Sequence, residues 1–231
     1  MKNNKFITRK QRGFTLVEIA IVLVIIGLLL GGVLKGQEMI ENARIKSVVA
    51  DMNGISAAYN SYIDRYRAIP GDEVAATLTG RGWAGTAFGN GNGALTTAPA
   101  ATFTNAPLEQ GAMWRSLRAT GLTSGDPAAP AGAPGLPRAG TGGLIGVSVG
   151  AYGLIGPTVC VSGLTAKQAA GIDAAIDGTV VAPLLGSNTG NARGATGPAN
   201  PLPPTPTAPT AGQPFNENLA TPTLWTMCRS L

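Results

Sequence analysis

The chain has 231 residues, enough for one domain of ordinary size and an added anchor segment. It contains 33 glycines and 17 prolines, and only 13% of its residues are charged, so we expect many loops rather than a dense enzyme core. Because 44% of the residues are apolar and the net charge is small, the composition differs from that of a disordered protein. Histidine is absent from the sequence, which excludes a histidine-containing catalytic triad and an imidazole zinc site.

The positive charge of the chain is concentrated at its N-terminus. No acid precedes Phe14, whereas five basic residues do: Lys2, Lys5, Arg9, Lys10 and Arg12. The remaining 12 basic side chains balance the 12 acidic ones. The pI near 9.5 therefore reflects a basic tail, and we predict no clear nucleic-acid partner for the rest of the chain.

An apolar run follows the basic tail at residues 14–34, and only Thr15 and Glu18 in it are polar. As an α-helix the run would be ~31 Å long, about one hydrocarbon thickness, so we predict a single membrane span. The preceding cations predict a cytoplasmic N-terminus and an exported C-terminal part. Since no Ala-x-Ala site closely follows the run, any signal cleavage must precede it, where Gly13 is the only small residue between the tail and Phe14.

The residues RGFTLVE and the apolar run after them resemble the class III signal of type IV pilins and type II secretion pseudopilins. The resemblance extends from Arg12 to about Pro70. It implies that a prepilin peptidase, a membrane aspartyl enzyme, cuts after Gly13 and methylates the new N-terminus at Phe14. It also implies an α+β, pilin-like fold, in which a long N-terminal helix packs on a small antiparallel sheet with short helices and long loops.

Glu18 is the fifth residue of this predicted mature chain. A charged side chain at mid-bilayer costs roughly 2.5–3.5 kcal/mol, so it needs a partner. The terminal ammonium group of Phe14 on a neighbouring subunit would neutralise the carboxylate, which predicts that Glu18 sets the register of assembly. The resemblance implies the same role. The alternative is an acid near the edge of an ordinary anchor that reaches the lipid headgroups.

A continuous helix is predicted from Phe14 to about Tyr66, because no proline interrupts this stretch. Beyond the span, apolar residues recur at steps of three and four, which predicts one stripe that packs under a head domain. The residues of the stripe are Ile45, Val48, Val49, Met52, Ile55, Tyr59, Tyr62, Ile63 and Tyr66.

Two glycine pairs lie in the first half of this helix, Gly27-x-x-x-Gly31 and Gly32-x-x-x-Gly36. Small residues at this spacing let two helices approach closely, which predicts a packing seam. Glycine also weakens a helix, so a stretch that melts on assembly is a second interpretation. In a third interpretation, the glycines have no packing role and are merely tolerated in a helix that faces lipid.

The long helix is predicted to end at RAIPGDE, because Pro70 disfavours a helical conformation at Ile69 and Pro-Gly-Asp is turn chemistry. We interpret Asp72 and Glu73 as solvated turn acids, with a calcium site as the alternative. Residues 80–105 are expected to form an exposed loop, because FGNGNGAL lacks the lysine and the strand–loop–helix setting of a phosphate site. The segment PLEQGAMWRSLRATG predicts a short helix that ends near Gly121, with Met113, Trp114 and Leu117 on one face.

The second part of the head combines strands with one more helix. The segment GGLIGVSVGAYGLIGPTVCVSGL predicts two or three short antiparallel strands. The next segment, LTAKQAAGIDAAIDG, predicts a helix with a capping box of Thr165 and Gln168 and with Gly178 just past its end. We interpret Asp173 and Asp177 on this helix as solvated acids rather than metal ligands.

Two cysteines are present, Cys160 and Cys228. In an oxidising compartment they would form one disulfide, and TPTLWTMC would be a closing strand beside the strand of Cys160. Two buried free thiols are the alternative. The low-complexity segment at residues 187–214 lies between them and is expected to be a mobile or extended surface loop.

These predictions define four segments: a leader at 1–13 that is removed, a transmembrane and filament-core helix at 14–36, an amphipathic half of the same helix at 37–66, and a head at 67–231. We predict a structural subunit, a major or minor pilin, with membrane lipid, other pilin subunits and an inner-membrane assembly platform as partners. A type II secretion pseudopilin is the closest alternative, and a membrane-tethered adhesin that does not polymerise is another. An enzyme, a metal and a cofactor are not expected.

Overall fold

A computed structural model describes residues 13, 15–83, 85, 87–103, 109–128, 135–178, 190–196, 215 and 224–231. The chain divides into two compact units, Met1–Glu41 and Asn42–Leu231. It has an α+β, pilin-like fold, with a long N-terminal helix, short helices and a small antiparallel sheet.

The long helix, α1, runs from Leu16 to Tyr66 and contains 51 residues, as the sequence predicts. From Leu16 to Leu34 its large apolar side chains are between 46% and 91% exposed within the chain. Of the helices that the structure describes, α1 alone is long and apolar enough to cross a membrane. This segment therefore exposes an apolar surface that can contact lipid or a partner outside the chain.

The later part of α1 buries a stripe of side chains in the head unit. The buried residues are Ile45, Val48, Met52, Ile55, Ala58, Tyr59 and Tyr62, at steps of three and four along the helix. Val49, Ile63 and Tyr66 are partly buried against the same core. The predicted stripe is thus confirmed, and each large side chain buried there contributes roughly 1.5–3 kcal/mol to the stability of the head.

Within the part of the chain that the structure describes, the sheet has four antiparallel strands in the order β1-β2-β4-β3. Their bounds are β1, Ile145–Val149; β2, Pro157–Leu164; β3, Ala192–Thr196; and β4, Trp225–Ser230. The antiparallel hairpin of β1 and β2 and the closing strand β4 are confirmed. The sheet turns one face to the core that contains the stripe of α1, and the alternating residues of β2, Val159 and Val161, point into that core.

The opposite face of the sheet carries the disulfide. Cys160 on β2 and Cys228 on β4 are direct partners in the register, and they are bonded to each other. Both are buried in a second, smaller cluster that includes Phe103, Leu144 and Tyr152. The predicted bridge is therefore present, and the alternative of two free thiols is wrong.

Over the described residues, the head unit also contains three short α-helices: α2, Ala75–Gly80; α3, Glu109–Ala119; and α4, Ala166–Asp177. The predicted face of α3 is buried, and Gly121 after it has a φ of 72°, a conformation that favours glycine. The capping box of Thr165 and Gln168 opens α4, and Gly178 follows it with a φ of 70°. Both helix predictions are confirmed.

Most described residues of the predicted loop at 80–105 are exposed and lie outside α-helices and strands, including residues 90–94 at its centre. Its buried residues include Ala87, Leu95 and Phe103, and a 3-10 turn forms at Pro99–Ala101. The interpretation of Asp72 and Glu73 as solvated acids is wrong, since both are buried. The physical reason is long-range hydrogen bonding, which brings this glycine-rich segment against the end of α1.

Two predictions near the C-terminus need correction as well. Asp173 is fully buried, and Asp177 is half-buried and accepts hydrogen bonds from the backbone N–H groups of Asn191 and Ala192, at 3.0 and 2.8 Å. These bonds hold the start of β3, which begins at Ala192. This strand lies inside the segment that was expected to be a mobile or extended loop. Pairing with β4 decides this strand, whose sequence ARGAT has little β character of its own. Residues 187–189 and 197–214 of that predicted loop lie outside the described residues.

Candidate processing and assembly site

The predicted processing site lies at the start of α1. Gly13 is exposed, and a Cβ atom added to it would meet nothing within 4 Å. Phe14 lies outside the described residues. Thr15 directly precedes the first helical residue, Leu16. Within the described chain, the backbone at Gly13 is thus open to an enzyme from outside.

Thr15 and Glu18 form a reciprocal capping box at this helix start. The Glu18 carboxylate accepts hydrogen bonds from the backbone N–H and the hydroxyl group of Thr15, both to Oε2, at 2.8 and 2.9 Å. The backbone N–H of Glu18 in turn donates to the Thr15 hydroxyl oxygen at 3.3 Å. Two N–H groups that the helix leaves without partners are thereby satisfied.

The capping box gives Glu18 a local task that the sequence predictions did not include. Its signal was available, since Thr or Ser followed three residues later by Glu is the usual pattern of a capping box. The carboxylate also lies at the positive end of the helix dipole, where an anion is stabilised. Glu18 is exposed in this single chain, so its acceptor groups remain accessible to a second chain.

The four glycines of the two predicted packing pairs lie along the exposed part of α1. A Cβ atom added at Gly27, Gly31, Gly32 or Gly36 would meet nothing within 4 Å. The chain itself therefore makes no use of the close approach that these positions permit, over the residues that the structure describes. Their role in helix packing stays a prediction.

A group of interacting polar side chains lies at the C-terminal end of α1. The buried Tyr62 hydroxyl group donates to the Glu73 carboxylate, and Arg81 forms an ion pair with the same carboxylate at 2.6 Å. The Arg81 guanidinium also lies over the Tyr66 and Trp83 rings, 4.7 and 5.3 Å from their centroids. Burial, together with the hydrogen bond to Glu73, raises the pKa of Tyr62.

This group of side chains connects the end of α1 to the segment that follows it. The Asp72 carboxylate next to it accepts the backbone N–H groups of Asn92 and Gly93 at 3.0 and 2.8 Å. Asp72 and Glu73, the two acids for which a calcium site was the alternative, thus bind the segment after α2. Over the described ranges, no three His, Cys, Asp or Glu residues come together in a group that could hold a metal ion.

Comparison with known protein families gives a match at the N-terminus. The family model of the prokaryotic N-terminal methylation motif matches residues 8–34. Comparison with curated proteins and with solved structures gives no match. The matched stretch includes Gly13, Phe14 and the capping box of Thr15 and Glu18, and it ends within the exposed apolar part of α1. The chain therefore carries the class III signal peptide of type IV pilins and pseudopilins, and the motif supports a precursor of the pilin or pseudopilin type.

Proposed function

We propose that the protein is a structural subunit, a major or minor pilin, of a type IV pilus-like filament. The observation that carries this proposal is the combination of the methylation motif at residues 8–34 with an apolar helix surface that the chain leaves exposed. Exposed apolar surface of this extent needs lipid or other helices around it. A membrane provides the first environment and a helical bundle of many copies provides the second.

Processing comes first in this proposal. The basic leader at residues 1–13 holds the N-terminus in the cytoplasm, and prepilin peptidase cuts between Gly13 and Phe14 and methylates Phe14. The head is then periplasmic, and one helix anchors the subunit in the bacterial inner membrane. After extraction by an inner-membrane assembly platform, the subunit becomes part of an extracellular or periplasmic filament.

Glu18 supplies the register of assembly. Before assembly, Thr15 satisfies its carboxylate within one chain, as the capping box indicates. In the filament, the Phe14 ammonium group of a neighbouring subunit approaches the same carboxylate, since two unpaired charges in an apolar bundle are costly. The small residues at Gly27, Gly31, Gly32 and Gly36 allow neighbouring helices to approach closely.

The experiment that tests the proposal is mass spectrometry of the N-terminus of the membrane-purified protein. We expect a chain that begins with N-methylated Phe14, and we expect the intact leader in cells that lack prepilin peptidase. An intact Met1 in peptidase-positive cells, or a start beyond Gly36, would contradict the proposal.

Shearing of the cell surface separates the filament subunit from its alternatives. We expect the mature chain in sheared surface fibres. A mature chain that stays in the envelope fraction would instead indicate a pseudopilin or a membrane-tethered adhesin.

A further inference from the structure

The chain contains a dipeptide that is prone to modify itself. Asparagine followed by glycine readily loses the ammonia of its side-chain amide, because glycine leaves the next backbone nitrogen unhindered. The sequence has three such pairs: Asn53-Gly54, Asn90-Gly91 and Asn92-Gly93. All of these residues are exposed. Exposure therefore leaves all three pairs open to the reaction, and the contacts of each pair decide its rate.

The nucleophile of this reaction is a backbone nitrogen. At the third pair, the amide nitrogen of Gly93 attacks Cγ of Asn92 and forms a new C–N bond. The side-chain nitrogen of Asn92 leaves as ammonia, with the proton of the Gly93 N–H group, and a succinimide ring remains. Water then adds to one of the two ring carbonyl groups and opens the ring to aspartate or isoaspartate. An N–H group that donates a strong hydrogen bond keeps its proton and its orientation, which opposes the attack.

The N–H group of each glycine has a different acceptor. Gly93 donates to Oδ2 of the Asp72 carboxylate at 2.8 Å, and Asn92 itself donates to Oδ1 at 3.0 Å. Gly91 donates to the backbone carbonyl oxygen of Asp72 at 2.7 Å. Gly54 lies inside α1, where N–H groups donate to the carbonyl group four residues earlier. Of the three glycines, Gly93 is thus the one whose nitrogen is held by a side chain.

The electrophile of the reaction is not restrained in the same way. The side-chain carbonyl oxygen of Asn92 accepts the N–H group of Ala94 at 2.9 Å, and that of Asn90 accepts the N–H group of Asn92 at 2.9 Å. A hydrogen bond to a carbonyl oxygen draws electron density from its carbon atom and favours attack on that atom. At Asn92, the bond from Gly93 to Asp72 is therefore the contact that opposes the reaction.

The backbone of this loop favours glycine at both of its reactive positions. Gly91 and Gly93 have φ values of 74° and 83°, in the left-handed region. A Cβ atom added to Gly91 would also lie 3.0 Å from Cγ1 of Val74. The same glycines that allow the loop to turn thus make its asparagines reactive.

We infer that Asn92 is a latent site of self-modification and that the Asp72 carboxylate keeps it intact in the folded head. The glycines after Asn53 and Asn90 donate to backbone carbonyl groups, so these two pairs do not depend on the Asp72 side chain. Modification of Asn92 adds a negative charge close to Asp72, and isoaspartate also lengthens the backbone. Both changes weaken the hold of Asp72 on the loop. The inference does not depend on the proposed filament function.

Peptide mapping by mass spectrometry tests the inference on the full-length, detergent-solubilised chain. The chain is kept in warm, mildly alkaline buffer, and the conversion of each asparagine is followed over time, with fragmentation to separate Asn90 from Asn92. In the Asp72→Ala chain we expect the rate at Asn92 to rise at least about tenfold, because a hydrogen bond to a charged acceptor holds the closed state by that much or more. The rate at Asn53 should stay unchanged, and the rate at Asn90 should rise less.

The matched control is Glu109→Ala. Glu109 is a buried acid that binds the same loop at Thr96, where it accepts the backbone N–H and hydroxyl groups at 2.5 and 2.6 Å. Its removal loosens the loop but leaves the bond from Gly93 to Asp72 in place, so we expect a much smaller rise at Asn92. Tryptophan fluorescence first establishes that both variants fold.

Three outcomes in folded variants overturn the inference. The first is an unchanged rate at Asn92 in the Asp72→Ala chain. The second is an equal rise at Asn53, which would mean that the whole head has loosened. The third is an equal rise at Asn92 in the Glu109→Ala chain, because loosening of the loop would then control the reaction in place of the Asp72 carboxylate.

A second measurement covers the case in which Asp72→Ala does not fold. The wild-type chain is mapped in the folded state and after unfolding in guanidinium chloride, and we expect Asn92 to react at least about tenfold more slowly in the folded state, where the open form is rare. Equal rates in the two states overturn the inference. Asp72→Asn keeps an oxygen acceptor without the charge, so its rate at Asn92 should lie between those two. A wild-type rate in that variant overturns the role of the carboxylate.

Discussion

The apolar side chains of α1 are exposed in its first part and buried in its second part. In the first unit, Leu30 is 60% exposed, like the other large apolar residues around it. In the second unit, Met52 of the same helix is fully buried in the core of the head. Helix formation is local and needs only the backbone and good helix formers, whereas burial requires a partner. The comparison shows that one end of the helix packs into the core of its own domain, whereas the other end exposes an apolar surface to its surroundings.

The acidic side chains of the two units also differ in their exposure. Glu18 in the first unit is exposed and bonds to Thr15, three residues away. Glu73 in the second unit is buried and bonds to Tyr62 and Arg81, which lie in or beyond the neighbouring helices α1 and α2. A partner in the same helical turn leaves an acid accessible for assembly, whereas partners from two different segments commit the acid to the fold.

The largest effect is expected from Glu18→Ala. The Phe14 ammonium group of a neighbouring subunit would lose its partner in an apolar bundle, where an unpaired charge costs roughly 2.5–3.5 kcal/mol. We expect the yield of sheared filaments, measured by immunoblot, to fall at least about tenfold, since each ~1.4 kcal/mol is a factor of ten in an equilibrium. The amount of protein in the membrane should stay unchanged. Glu38→Ala is the matched control, because Glu38 is an exposed acid of the same helix that pairs with Lys35.

Normal filaments from the Glu18→Ala chain would contradict the pairing role. An equal loss in both variants would show that any change of charge on this helix impairs assembly, and it would remove the distinction between the two acids.

An intermediate effect is expected from removing one apolar side chain in each part of α1. Met52→Ala opens a cavity in the core of the head and should lower its free energy of unfolding by about 2–5 kcal/mol. Leu30→Ala removes an exposed side chain and should leave the stability of the head unchanged. The measurement is urea unfolding of the detergent-solubilised chain by tryptophan fluorescence, since Trp83, Trp114 and Trp225 all lie in the head unit. Similar losses for both variants would mean that the two parts of the helix do not differ in this way.

The smallest effect is expected from the two capping boxes. Thr165→Ala removes the cap of α4 within the head and should cost about 1 kcal/mol of its free energy of unfolding. Thr15→Ala removes the equivalent bonds at the start of α1 and should leave the head unfolding curve in place. The same fluorescence measurement distinguishes them. A shift of the head transition by Thr15→Ala would show that the start of α1 contributes to the stability of the head.

Much of the fold follows from local patterns. The stripe of α1, the Thr165 capping box and the glycine stops after α3 and α4 are all visible as spacings of a few residues. The strand of Cys228 was also predictable, because a disulfide brings its two strands together. At the candidate site, the methylation motif was visible in full, and only the capping box of Thr15 and Glu18 was missed.

The predictions that failed concern residues whose partners are distant along the chain. Asp72 is buried because it accepts the N–H groups of Asn92 and Gly93. The strand β3 exists because β4 pairs with it and because Asp177 holds its start. In each case the isolated sequence has the composition of a solvated turn or loop, and its burial depends on a partner that no local pattern reveals.

The amino-acid sequence by itself determined the methylation motif, the long helix and the division of that helix into an exposed apolar part and an amphipathic part. These features depend on the order of neighbouring residues and on the thickness of a membrane. The tertiary structure alone decided that Asp72, Glu73 and Asp173 are buried and that β3 joins the sheet. The reason is that burial and pairing are properties of two segments together, and the chain brings those segments together only when it folds.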